Sequence, residues 1–121
     1  MIVPLELPWP PSVNNYWIHR GRGTFISDAG IMFIKSVKVA IVQAKLYKPM
    51  LGKLHVSIKL FPPDKRRRDI DNVLKSILDA LTKGGLMEDD SQVKRLDVEM
   101  LESLGGCVEV YVKYYVRPEE L

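Results

Sequence analysis

Residues 64–90 read DKRRRDIDNVLKSILDALTKGGLMEDD: a basic run, a D-x-D pair, a helical pattern and a second acidic cluster in immediate succession. Ile70, Val73, Leu74, Ile77, Leu78 and Leu81 recur at three- and four-residue steps, which predicts a helix with one buried face. Lys83 followed by Gly84 and Gly85 predicts a left-handed C-cap with a cation in the last turn. The opposite face presents Asp71, Asn72, Lys75 and Asp79, with Asp71 and Lys75 one turn apart on the same side.

Asp69 and Asp71 cannot share a helical face, because two positions rotate a side chain by roughly 200° at about 3.6 residues per turn. On an extended segment the same spacing puts both on one side. If both serve one site, Asp69 stands before the helix or at its N-cap. Asp is a favoured N-cap residue and negative charge is stabilised at that end of the helix dipole, so capping alone accounts for such a pair. The adjoining Arg66, Arg67 and Arg68, and the acids Glu88, Asp89 and Asp90 beyond the helix, raise the alternative of a chemical site.

Working outward, Pro62 and Pro63 end the segment Lys53–Phe61, where Leu54, Val56, Ile58 and Leu60 alternate with His55, Ser57, Lys59 and Phe61 as in a half-buried strand. His55 is expected to be a surface residue of that strand. Ser27 is a candidate N-cap for a helix running to about Tyr47, with Ile31, Ile34, Val37, Val39, Ile41 and Val42 as its apolar residues and Lys35, Lys38 and Lys45 outside. Its β-branched residues make it a poor helix in isolation, so it needs packing. Gly21, Arg22 and Gly23 lie between Tyr16–Arg20 and Thr24–Ser27, which predicts a small hairpin or basic loop with His19, Arg20 and Arg22 as candidate phosphate contacts. Ile2–Leu7 reads as a short strand that Pro4 assigns to an edge, and Pro8–Asn15, PWPPSVNN, as a turn-rich loop. Downstream, Val93–Leu101 and Cys107–Val116 read as strands about the turn signal Ser103–Gly106, with Val108, Val110, Val112, Tyr114 and Val116 on one face. The tail from Arg117 is expected to fray.

The order of elements predicts an α+β fold, two helices packed on one face of a mixed, mostly antiparallel four-stranded sheet, in a single domain over residues 1–121. The Val-rich last strand, or the exposed edge of the first, is a candidate surface for pairing with a second copy.

Composition bounds the function loosely. Lys and Arg number 18 against 15 Asp and Glu, a net charge of +3, so the overall field attracts a polyanion weakly and the local run Lys65–Arg68 says more. Cys107 is the only cysteine, which excludes an intramolecular disulfide and a thiolate-rich zinc site. No run approaches the roughly 20 apolar residues of a bilayer span, and the start, MIVPLELPWPPS, lacks a signal-peptide layout. A cytoplasmic location away from membranes is expected.

Asp69 and Asp71, together with Glu88, Asp89 and Asp90, offer hard oxygen ligands of the kind Mg²⁺ takes. Convergent carboxylates repel one another unless a cation neutralises them. Such a cation can activate water for in-line attack on a phosphodiester. Arginines beside the site would hold phosphates, and Lys75 is a candidate for stabilising charge on the scissile group.

Four stretches, LPWPPSVNN, RGRGTFISDAG, PPDKRRRDIDNVLKSILDALTKGG and LMEDDSQV, together resemble the RusA-type Holliday junction endodeoxyribonucleases, small crossover resolvases of phages and prophages. The resemblance spans nearly the whole chain. It implies that Asp69, Asp71 and Asp90 are the essential metal-binding acids and that Lys75 is the functionally important lysine. It implies Mg²⁺, with Mn²⁺ able to substitute, as the sole cofactor. It implies a homodimer that binds four-way junction DNA by structure and leaves paired nicks with 5′-phosphate and 3′-hydroxyl ends. Lys65, Arg66, Arg67 and Arg68, with Arg20 and Arg22, are the expected DNA-holding residues. Two other readings fit less of the chain. A non-catalytic structure-specific nucleic-acid-binding module gives the acids no task beyond capping and solubility; nuclease action on flaps, RNA or plain duplex shares the chemistry but not the substrate.

Overall fold

Alternation and helical periodicity both translate into structure. The computed structural model describes residues 2–102 and 105–120. In chain order the elements are β1 (Val3–Pro8), α1 (Val13–Tyr16), β2 (Trp17–Arg20), β3 (Gly23–Ile26), α2 (Asp28–Gln43), β4 (Leu54–Phe61), α3 (Asp71–Lys83), β5 (Val93–Met100) and β6 (Cys107–Tyr114). Short 3₁₀ turns form at Asp90–Gln92 and Pro118–Glu120. The architecture is α+β, with a four-stranded mixed sheet in the order β1-β6-β4-β5 and the separate hairpin β2–β3. β6 is antiparallel to both β1 and β4, while β4 and β5 are parallel. Parallel neighbours need a crossover, and α3 supplies it.

That crossover corrects one expectation. The two C-terminal strands do not form a hairpin, because β5 enters beside β4 and leaves β6 to pair on β4's other side. Of the turn signal between them, Ser103 and Leu104 lie outside the described residues, while Gly105 and Gly106 have φ of 79° and 83°. β6 is flanked on both sides and therefore offers no free edge for a second copy; the edges belong to β1 and β5.

One continuous core lies between the sheet and α2 and α3. Val3, Leu5 and Leu7 enter it from β1, Leu54, Val56, Ile58 and Leu60 from β4, and Val108, Val110 and Val112 from β6. Tyr114 and Val116 are exposed, since the strand ends at Tyr114. α2 contributes Phe33, Ile34, Val37, Ala40 and Ile41, and α3 contributes Val73, Ile77, Ala80 and Leu81. Ile31, Val39 and Val42 point to solvent: at about 100° per residue they sit across the helix from Phe33, Val37 and Ile41. α2 also ends earlier than expected, and Lys45 takes a φ of 60° just beyond it. Ser27 caps its start, accepting from the Gly30 amide at 3.0 Å. Within PWPPSVNN the chain closes one helical turn, α1, which buries Tyr16.

The C-terminus of α3 places everything that follows. Gly85 N donates to Thr82 O at 3.1 Å and Leu86 N to Leu81 O at 3.0 Å, the paired bonds of a Schellman cap. Gly85 reaches the φ of 97° this needs because it has no Cβ. A Cβ on Gly84 would fall 2.8 Å from Val37 Cγ1, so α2 and α3 approach closely there. Leu86 and Met87 are then buried and anchor the reversed chain. No helix among the described residues is long and apolar enough to cross a membrane.

Candidate active site

The acids of residues 64–90 divide into those spent on the fold and those left over. Ile70 occupies the cap position of α3 with no side-chain cap bond, so the Asp69 carboxylate does not cap the helix. Asp69 stands just before α3, its carbonyl accepting from Asn72 N at 3.2 Å. Asp71 lies in the first turn and is exposed. Beyond the helix the neighbours Asp89 and Asp90 differ sharply. Asp89 is the N-cap of the 3₁₀ turn, accepting from Ser91 N, and Gln92 reaches back with Oε1 to Glu88 N at 2.8 Å and Asp89 N at 3.1 Å. That capping box holds the Asp89 carboxyl below the usual carboxylate range. Gln92 Nε2 also donates to Met50 O and Gly52 O, each at 2.9 Å, tying the turn to the approach to β4. Asp90 is exposed, and among the described residues its carboxylate takes no hydrogen bond.

Asp71, Lys75 and Asp90 line one pocket of about 420 Å³, with Asn14 of α1 and the apolar Val13, Leu74 and Leu78. Among the described residues neither Asp71 nor Asp90 has an ion-pair partner. Asp69 is not on the wall of this pocket, and among the described residues no three His, Cys, Asp or Glu side chains converge within reach of one ion. The donor set still suits a hard divalent cation. Mg²⁺ takes one or two carboxylates and leaves the rest of its sphere to water and substrate phosphate.

Lys75 does not pair with Asp71. Its Nζ stands 5.3 Å from the centroid of the Trp17 ring. Next to it, Asp79 accepts from the Tyr16 hydroxyl at 2.6 Å and from Lys83 Nζ at 2.7 Å. Burial, and then the Asp79 bond, push the Tyr16 hydroxyl far above the ordinary tyrosine range. The hairpin is thereby rooted on α3.

The basic residues also divide. Arg68 donates to Asp64 Oδ1 at 2.8 Å, lies 5.8 Å from the Trp9 ring centroid and has a side chain only 17% exposed. It is a structural pin of the loop. Arg66 pairs with Asp64 from a largely exposed position. Bonds from Arg68, then Arg66, hold Asp64 well below the usual carboxylate range. Lys65 and Arg67 are exposed without an ion pair among the described residues, as are Arg20 and Arg22 at the hairpin tip. His55, on the far face of the sheet, bonds Asp97 Oδ2 at 2.6 Å through Nε2, the same nitrogen that lies 3.4 Å from Ser57 Oγ. A relay from serine through histidine to aspartate needs two different ring nitrogens, so this is a strut between β4 and β5.

Asn14, Tyr16 and Trp17 were not legible as site residues in the sequence. An Asn pair after Pro-Pro-Ser and an aromatic pair at the root of a basic hairpin were the available signals. The role of Asp89 as a cap was not anticipated either; its three-residue spacing from Gln92, that of a capping box, was the available signal.

Fold and pocket define a class: a small α+β domain with acids and a lysine gathered along the crossover helix of a mixed sheet. The family model described as Endodeoxyribonuclease RusA matches residues 8–115, and the chain belongs to that family. It is 45% identical over 86 residues to the crossover junction endodeoxyribonuclease rusA of Enterobacteria phage HK97, covering 71% of this chain and 72% of the relative. It is 38% identical over 109 residues to the crossover junction endodeoxyribonuclease RusA of Escherichia coli (strain K12), covering 89% and 91%. The rusA protein of Enterobacteria phage 82 matches to the same extent.

Proposed function

We propose that this chain is a crossover junction endodeoxyribonuclease, resolving four-way (Holliday) DNA junctions by paired, metal-dependent phosphodiester hydrolysis in recombination and repair. The names of its relatives support the substrate. The observation that carries the site is the shared pocket of Asp71, Asp90 and Lys75, in which both carboxylates lack a cationic partner among the described residues.

Asp71 and Asp90 would supply carboxylate oxygens for Mg²⁺, or Mn²⁺ in its place, with Asp69, just before α3 and off the pocket wall, as the third acid of the set. When bound, such a cation activates water and offsets charge on the scissile phosphate. The Lys75 ammonium donates to a phosphoryl oxygen as negative charge builds there. Asn14, which lines the same pocket, would contact the sugar-phosphate backbone. Lys65, Arg66 and Arg67 on one side and Arg20 and Arg22 on the other hold the DNA, while Arg68 shapes the loop that presents them. Two symmetric cuts call for two sites related by a two-fold axis, so the working form is a homodimer. In this reading the metal is the sole cofactor, and the cytoplasm is the expected location.

The test is a mobile four-way junction with all four strands end-labelled, incubated with Mg²⁺ or with chelator. Paired nicks bearing 5′-phosphate and 3′-hydroxyl ends are expected only with Mg²⁺, and Asp71→Asn should lower cleavage more than about a hundredfold while junction binding persists. A mobility shift without nicks under all conditions would leave a binding module, and equal cutting of flaps or plain duplex would remove the junction as substrate.

A further inference from the structure

Lys75 has acids one turn away on either side and pairs with neither. Asp71 and Asp79 lie four residues before and after it on α3, the spacing at which lysine and carboxylate commonly meet. Asp79 is occupied by Tyr16 and Lys83. Asp71 has no ion-pair partner among the described residues, yet the Lys75 ammonium lies over the Trp17 ring, 5.3 Å from its centroid. That is inside the roughly 6 Å over which an aromatic face attracts a cation. The ring is itself fixed. Tyr16, fully buried, meets it edge-on with centroids 4.3 Å apart, and Trp17 pairs with Ile26 across the hairpin.

We propose that Trp17 is a positioning residue for Lys75, holding its ammonium at the pocket wall and away from Asp71. This deepens the reading of Lys75 as the phosphate-side lysine and rests on it. An ion pair between Lys75 and Asp71 would cancel both groups: the cation site would lose a charge, and the phosphate would lose a donor. An aromatic face holds a cation without taking up its N–H donors as a carboxylate would. The Tyr16–Asp79–Lys83 cluster completes the device by keeping the other neighbouring acid occupied. Because Trp17 is the first residue of β2, the lysine is also tied to the strand that carries Arg20 at its other end.

The experiment replaces Trp17 with tryptophans of increasing ring fluorination, which keep the shape of the indole while draining its negative face. Single-turnover junction cleavage with Mg²⁺, junction affinity in Ca²⁺ and thermal midpoint are measured in the wild-type and Lys75→Ala backgrounds. With Lys75 present, cleavage should fall stepwise, by about five- to tenfold at the most fluorinated ring, with affinity unchanged within about twofold. The midpoint should fall in parallel. In Lys75→Ala both series should be flat, because the partner is gone. Flat series in both backgrounds, or equal declines in both, overturn the proposal while Lys75 keeps its role. A Lys75→Ala protein that cleaves at the wild-type rate overturns the role of Lys75 itself, and this inference with it. The fluorinated indoles avoid the folding defect that Trp17→Ala invites.

Discussion

The Tyr16 hydroxyl donates to Asp79 Oδ2 across 2.6 Å and fastens the root of the β2–β3 hairpin to the outer face of α3. Tyr16 is fully buried and its partner is a carboxylate that also meets the Lys83 ammonium, the setting of a strong hydrogen bond. Tyr16→Phe should lower unfolding free energy by about 1–2 kcal/mol in urea titrations. The loss stays moderate because Lys83 still meets Asp79. An unchanged midpoint would mean that the hairpin is anchored by packing alone.

The neighbours Asp89 and Asp90 should separate cleanly on mutation. Asp89→Ala removes the cap of the 3₁₀ turn and should lower the thermal midpoint by a few degrees. Asp90→Asn should leave the midpoint in place and lower junction cleavage by about a hundredfold or more. The pair is measured by calorimetry and nicking assays on the same preparations, and a reversed pattern would exchange the two roles.

Adjacent arginines are expected to diverge in the same way. Arg67→Ala should weaken junction binding and reduce the slope of log K against log salt by about 0.7–0.9, the loss of one phosphate contact. Arg68→Ala should instead destabilise the fold, since its side chain is pinned by Asp64 and Trp9. Filter binding over a salt series and urea melts read the two effects separately.

Asp64 gives the expected acid response. Its folded-state pKa is depressed by Arg68 and Arg66, below the unfolded value of about 3.9. Its contribution to stability is therefore fully present above about pH 4 and is lost as pH falls toward the folded value. Asp64→Asn should be less stable than wild type at pH 6 and should lose stability less steeply below pH 4, as followed by urea midpoints across that range.

Much of this was legible in residues 64–90 and in the alternation of Leu54–Leu60, because both record which face is buried. The Schellman turn was legible in Gly84–Gly85 for the same local reason. What escaped was long-range. The insertion of β6 between β1 and β4 depends on pairings between distant segments, which no local pattern encodes. The outward Ile31, Val39 and Val42 mislead because α2 is apolar nearly all round, so composition leaves its inner face ambiguous. At the site, the pocket formed by Asp71 and Asp90 with Asn14 exists only once α1 and the 3₁₀ turn have both docked near α3.

The two rims of the main sheet are finished in different ways. β1 carries Pro4 and Pro8, which cannot donate to a further strand, and β5 presents Lys94, Arg95, Asp97 and Glu99 to solvent. Neither margin templates growth by an incoming chain. Crowded together on one DNA molecule, many dimers of this protein should remain separate particles and not seed fibrils.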